Sequence, residues 1–210
     1  MKKKAVFFDL LFYMAIPLIM WNTLRESLGD YATMLLASVP GIVYTVFSFI
    51  KDRRINFLGL FMLITLVIGT VIDILSGSAL QMMWNNVYYG VFIGFVFIAS
   101  MLVKRPIAYY FALDGGEMMG YERPSVKTFL SSKKKMIALH LITLCYGLRS
   151  IIVSGVNVHL LRQYGVEAFD QGIVFKQIVT WTITIITAVG FLYVMKAEEE
   201  RKPEETGPAT

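Results

Sequence analysis

Phe57-Leu-Gly-Leu-Phe-Met-Leu-Ile-Thr-Leu-Val-Ile-Gly-Thr-Val-Ile-Asp-Ile-Leu75 carries one formal charge, Asp73, in an otherwise apolar run. A helix of this length rises about 28 Å at about 1.5 Å per residue, close to the thickness of a bilayer's hydrocarbon core. The stretch therefore reads as a membrane-spanning helix over 57–75. Lys51-Asp52-Arg53-Arg54 precedes it and uncharged Ser76-Gly77-Ser78 follows, so only one end meets a cationic turn.

Working outward, five more stretches have the same character: 5–21, 32–50, 87–103, 136–154 and 173–195. The expected fold is an all-α, polytopic membrane bundle of six transmembrane helices, forming one domain over 1–195. Composition agrees, since 56% of the 210 residues are hydrophobic, 17% are charged and the mean hydropathy is +0.61. A soluble domain of that size would be richer in charge. Met1-Lys2-Lys3-Lys4 before an apolar run has the charge order of a secretory signal, but Trp21-Asn22-Thr23-Leu24-Arg25 offers no small-residue cleavage site. The first stretch is accordingly read as a retained span.

Basic loops resist translocation and stay cytoplasmic. Lys2 to Lys4, Lys51, Arg53 and Arg54, then Lys104, Arg105, Arg123, Lys127 and Lys133 to Lys135, then Lys196, Arg201 and Lys202 all fall on one side of a six-span arrangement. Arg25 and Arg162 alone fall on the other. Both termini are thus expected in the cytoplasm.

The net charge of +5 is distributed in these clusters rather than along one face, which argues against nucleic acid as a partner. The expected partners are the bilayer itself and anionic lipids at the cytoplasmic face. Cys145 is the lone cysteine, which excludes an intrachain disulfide and a cysteine metal cage. His140 and His159 are too few for a multi-histidine metal or haem site. No Gly-rich phosphate loop, zinc-protease motif or nucleophile with its base is present. The chain is therefore read as a non-enzyme with no catalytic residues, metal or cofactor.

Small residues four apart mark faces where helices approach closely in lipid. Gly90 and Gly94 form such a pair, as do Thr143, Gly147, Ser150 and Ser154, and Thr65, Gly69 and Asp73. They predict a compact bundle or, through Gly90 and Gly94, a homodimer. Intramembrane charge is more informative, because it is costly and tends to face protein or water. Lys176, Thr180, Thr184 and Thr187 share one face of the sixth span. Arg149 is expected about 8 Å from the outer end of the fifth. Two readings follow. In one, Asp73 pairs with Lys176 or Arg149 in an outward-opening polar cavity between the third, fifth and sixth spans, lined also by Thr180 and Thr184. In the other, the cations snorkel to the outer headgroups and Asp73 caps its own helix. Pro17 and Pro40 interrupt the first two spans, as kinks or as features of a transporter binding site.

Between the spans, 76–86 is expected to be an uncharged external loop, and 155–172 a loop or a surface helix. The segment 104–135 is expected to be a basic cytoplasmic loop. Lys104, Arg105 and Pro106 lead into Tyr109 and Tyr110, a composition suited to a short helix in the cytoplasmic interface that ends at Gly115-Gly116. The tail 196–210 is charged, contains Pro and Gly, and is expected to be disordered.

Asp9 and Pro17 in a short first span, the turn Lys51 to Arg54 leading into Asn56, and Lys104-Arg105-Pro106 to Tyr110 are similar to features of small uncharacterised bacterial multi-spanning inner-membrane proteins. Those proteins are distantly similar to the intracellular septation protein A group. The resemblance covers residues 5–112 and implies a bacterial cytoplasmic membrane location in a family of unsettled activity. Two functions follow from the residues: a small transporter or channel-like protein with Asp73, Arg149 and Lys176 on its path, or a non-catalytic membrane organiser or accessory subunit, related to envelope or septation, that docks through its basic loop.

Overall fold

Asn56 and Ser78 set the starts of two neighbouring helices. The Asn56 side chain accepts from the Gly59 N–H at 2.8 Å and the Ser78 hydroxyl from the Gln81 N–H at 3.2 Å, each satisfying a donor that the first helical turn leaves free. In the computed structural model, residues 3–52, 56–103, 105–118 and 120–196 are described. Arg53, Arg54, Lys104 and the tail beyond Lys196 lie outside them.

The described residues are helical, with no strand among them. The helices are α1 (Lys3–Leu10), α2 (Ile16–Leu28), α3 (Asp30–Asp52), α4 (Phe57–Leu75), α5 (Ala79–Leu102), α6 (Ile107–Met118), α7 (Arg123–Leu130), α8 (Lys133–Tyr164) and α9 (Ala168–Lys196). A π-helical segment, Leu11–Ala15, joins α1 to α2 just before Pro17, and a 3-10 turn, Gly165–Glu167, joins α8 to α9. Phe7–Leu28, Asp30–Ile50, Phe57–Leu75, Ala79–Leu102 and Lys133–Leu192 are long and apolar enough to cross a membrane. The last is divided at Gly165, whose φ of 58° is the left-handed conformation that glycine adopts at least cost.

The third span matches its expected bounds to the residue, whereas others are longer than the apolar run suggested. The loop expected over 76–86 shrinks to Ser76-Gly77-Ser78, because Ala79 and Met82 are buried against Trp21 and Met34 and draw the chain into α5. The fifth span, expected to end at 154, continues to Tyr164, where Val156, Val158 and Leu160 sustain the helix and Leu161 is buried. Arg149 stands at the midpoint of this 32-residue helix.

Consecutive long helices pack antiparallel. Asp73 and Thr65 of α4 meet Asn86 and Tyr89 of α5. Arg149, Tyr146 and Ile142 of α8 meet Thr180, Thr187 and Gly190 of α9. Helix α5 also packs closely on α8: a methyl added at Gly94 would lie 2.7 Å from Ile151 Cγ1 and 3.0 Å from the Gly147 carbonyl, and Gly90 faces Ser154. The face expected to serve a homodimer is therefore filled within the chain, since two small residues admit α8 itself.

Outside these contacts, apolar side chains point away from protein. On α4, Met62, Val67, Val71 and Ile74 are each about half exposed, and Gly59 is the buried residue of the helix. On α9, Ile178, Ile185, Val189 and Leu192 form an exposed stripe of the same kind. Contiguous apolar surface on this scale is foreign to soluble monomers, so the chain is a membrane-embedded protein.

Helix α6 does form after the fourth span, but it is buried rather than laid on a surface. Ala108, Ala112, Leu113 and Asp114 pack with Val126 and Leu130 of α7, Leu139 and Ile142 of α8, and Val194 of α9. Gly115 and Gly116 do not end α6, and Gly116 instead admits Val126, whose methyl carbons would sit 2.7 and 2.8 Å from an added Cβ. The segment expected to be a basic loop also contains α7. Asp114 accepts from the Leu58 N–H at 2.7 Å, capping α4, with Arg123 at 3.6 Å from its other oxygen.

Candidate functional site

The π segment is where the site begins. Tyr13, within it, lies against Gly41, the residue after Pro40 in α3, and donates to Thr45, whose own proton is given to the Gly41 carbonyl at 2.8 Å. Packing of Phe12 on Tyr44, ring centroids 5.0 Å apart, fixes the same crossing. One wall of a cavity of about 390 Å³ is thereby formed by Asp9 and Tyr13.

The other walls are Arg149 from α8 and Ile173, Lys176, Gln177, Thr180, Trp181 and Thr184 from α9. Four of the five residues expected to share a polar path, Arg149, Lys176, Thr180 and Thr184, thus line one cavity. Asp73 does not line it: its carboxylate accepts from Asn86 at 2.7 Å, and no ion pair joins it to Lys176 or Arg149 among the described residues. The carboxylate on the cavity wall is Asp9 instead, and the third span is replaced by the first. Asn86 takes this carboxylate because it faces Asp73 across the α4–α5 hairpin, although Lys176 lies within electrostatic reach of it. Thr187, at the inner end of the stripe, is buried and hydrogen-bonded with Tyr146 at 3.2 Å.

Within the cavity, Thr180 donates to the Lys176 carbonyl at 2.6 Å and accepts from Arg149 Nη2. Arg149 Nε and the Trp181 indole Nε1 are buried and bond to no described residue; a buried donor left unpaired costs about 1–3 kcal/mol. From Arg149 to either end of α8 is about 23 Å at about 1.5 Å per residue, and its guanidinium is turned to Thr180 of α9. Lys176 is exposed to the cavity from α9.

At the motif expected to face the cytoplasm, Pro106 is buried, Arg105 is exposed, and Tyr109 and Tyr110 pack on the α6–α8 core, Tyr110 with its ring 4.8 Å from Phe57. Nearby, a shallow groove of about 350 Å³ sets Lys133 and His140 over Met101, Met136, Ile137 and Leu141. Sequence reasoning missed Trp181 and Gln177 as lining residues, although their spacing with Thr184 places them on the polar side of α9. It saw Asp9 without giving it a role. Asp114 was also missed; a lone carboxylate in the apolar run Phe111 to Leu113 was its signal.

Compared with known proteins, the chain matches no protein family, no curated protein and no solved structure.

Proposed function

We propose that this protein is a small transporter or channel-like protein that crosses the membrane six times, with α8 and α9 as separate crossings, and that it admits a solute to the cavity between the first helix, α8 and α9. The observation that carries this reading is Arg149: a guanidinium at the midpoint of a long helix, with no carboxylate ion pair among the described residues, beside Lys176 on the wall of one cavity. Intramembrane charge of this kind is retained at a cost that function repays. The one-sided basic residues support termini in the cytoplasm, and the resemblance to small inner-membrane proteins supports a bacterial cytoplasmic membrane. Lys133 and His140 above their apolar groove suit an anionic lipid.

The exposed Lys127, Lys133 and Lys134 favour a second reading, a non-catalytic organiser or accessory subunit recruited at this inner cap. Proteoliposomes separate the two. After hypertonic shock with potassium glutamate, potassium chloride or glycine, transport predicts faster reswelling than in protein-free vesicles for at least one solute. Identical rates for all three would contradict it.

A further inference from the structure

We infer that the groove at the start of α8 is a binding site for one anionic phospholipid, with the lipid phosphate on Lys133 and an acyl chain laid over Ile137 and Leu141. The inference rests on the lipid contact proposed above and adds its position and headgroup class; the solute cavity takes no part in it.

Order along the helix is the first argument. Lys133, Met136, Ile137, His140 and Leu141 stand at i, i+3, i+4, i+7 and i+8, so they form one stripe of α8, joined in the groove by Met101 near the end of α5. Lys133 is the first residue of α8, and Leu141 lies about 12 Å further along at about 1.5 Å per residue. Charge therefore sits at the helix end and the apolar seat about two turns deeper, the order in which a phospholipid presents its phosphate and its chains. A soluble anion would use only the first turn of such a stripe. Exposure is the second argument. Ile137 and Leu141 are 53% and 57% exposed on a helix of a membrane-embedded chain, so a lipid chain reaches them directly.

Charge complementarity is the third. No carboxylate lines the groove, and no ion pair joins Lys133 to a described residue. Lys134 beside it is exposed, and the first turn of α8 holds no acidic residue, so the positive end of the helix dipole adds to the lysines. The other polar group of the groove, His140, donates from Nδ1 to the Met136 carbonyl at 2.8 Å and brings no negative charge. An anionic headgroup neutralises this edge, whereas the cation of a phosphocholine would oppose Lys133.

The test uses the full-length protein in detergent, given equal amounts of phosphatidylglycerol and phosphatidylcholine with the same acyl chains, and counts bound lipid by native mass spectrometry. The inference predicts one phosphatidylglycerol per chain, favoured at least about threefold over phosphatidylcholine, in keeping with one lysine near an anionic headgroup. Lys133→Gln should abolish the preference; Lys133 is exposed, so its replacement leaves no buried gap, and circular dichroism checks the fold. Lys133→Arg should retain the preference, as should Lys127→Gln, whose lysine is exposed on α7 outside the groove. Inorganic phosphate and glycerophosphoglycerol at the same concentration should leave the lipid bound. Equal binding of the two lipids overturns the inference together with the lipid contact on which it rests. A preference unchanged by Lys133→Gln, lost in Lys133→Arg, or lowered as much by Lys127→Gln overturns the site alone. Displacement by either soluble phosphate overturns the lipid as its occupant.

Discussion

Arg149 reaches from the midpoint of α8 to the Thr180 hydroxyl of α9, so the hydrogen bond that orients the cavity's central cation also ties its two walls together. Thr180→Val removes the acceptor at nearly constant volume. It should lower stability by about 1 kcal/mol, in keeping with hydrogen bonds between membrane helices, as measured by thermal unfolding in detergent. Thr182→Val, whose hydroxyl bonds only its own helix at Ile178, should change stability by less than about 0.5 kcal/mol.

Glycine substitutions should act in opposite directions at two sites. Gly94→Ala drives a methyl into Ile151 and the Gly147 carbonyl and should cost about 1–3 kcal/mol, because backbone cannot yield as a side chain does. Gly155→Ala, on α8 with no atom within 4 Å of the new methyl, should stabilise by about 0.5–1 kcal/mol. The same unfolding series checks both.

Asp114 should behave as a structural residue of the α6–α7 cap. Asp114→Ala leaves the Leu58 N–H without its acceptor and Arg123 without its buried partner, and should cost about 1–3 kcal/mol. Asp114→Asn keeps an oxygen for Leu58 and should fall between Ala and the native protein.

At the opposite end, Arg25 bonds Asp30 at 2.5 Å, forks onto Glu167 in the α8–α9 turn, and lies 4.6 Å over the Trp21 ring. Glu167 is 62% exposed, so Glu167→Gln should destabilise only slightly, and less still in high salt. Arg25→Ala also removes the contact with Trp21 and should cost more. Unfolding at low and high ionic strength distinguishes the two contributions.

The all-helical, membrane-embedded character was legible because it depends on apolar length, which α4 displays from Phe57 to Leu75 without interruption. Helix ends were less legible. The polar segments 76–86 and 155–164 look like loops by hydropathy, yet Met82 and Leu161 are held by tertiary burial that no local pattern reports. The α9 stripe was readable, since Lys176, Thr180 and Thr184 repeat at helical spacing. Which carboxylate would face it was not: Asp73 and Asp9 look alike in sequence, and only the π segment at Tyr13 and the Asn86 bond to Asp73 decide between them. The burial of α6 depends likewise on Gly116 and Val126, ten residues apart, meeting in space.

The central claim is that water reaches the middle of α9 on one face only. In a Cys145→Ser background, single cysteines along that helix should be tested in membranes with a water-soluble thiol reagent. The account predicts reaction at positions 173, 177, 180 and 184, which line the cavity, and protection at 178, 185 and 189, which face lipid. Uniform protection, or reaction without helical periodicity, would contradict it.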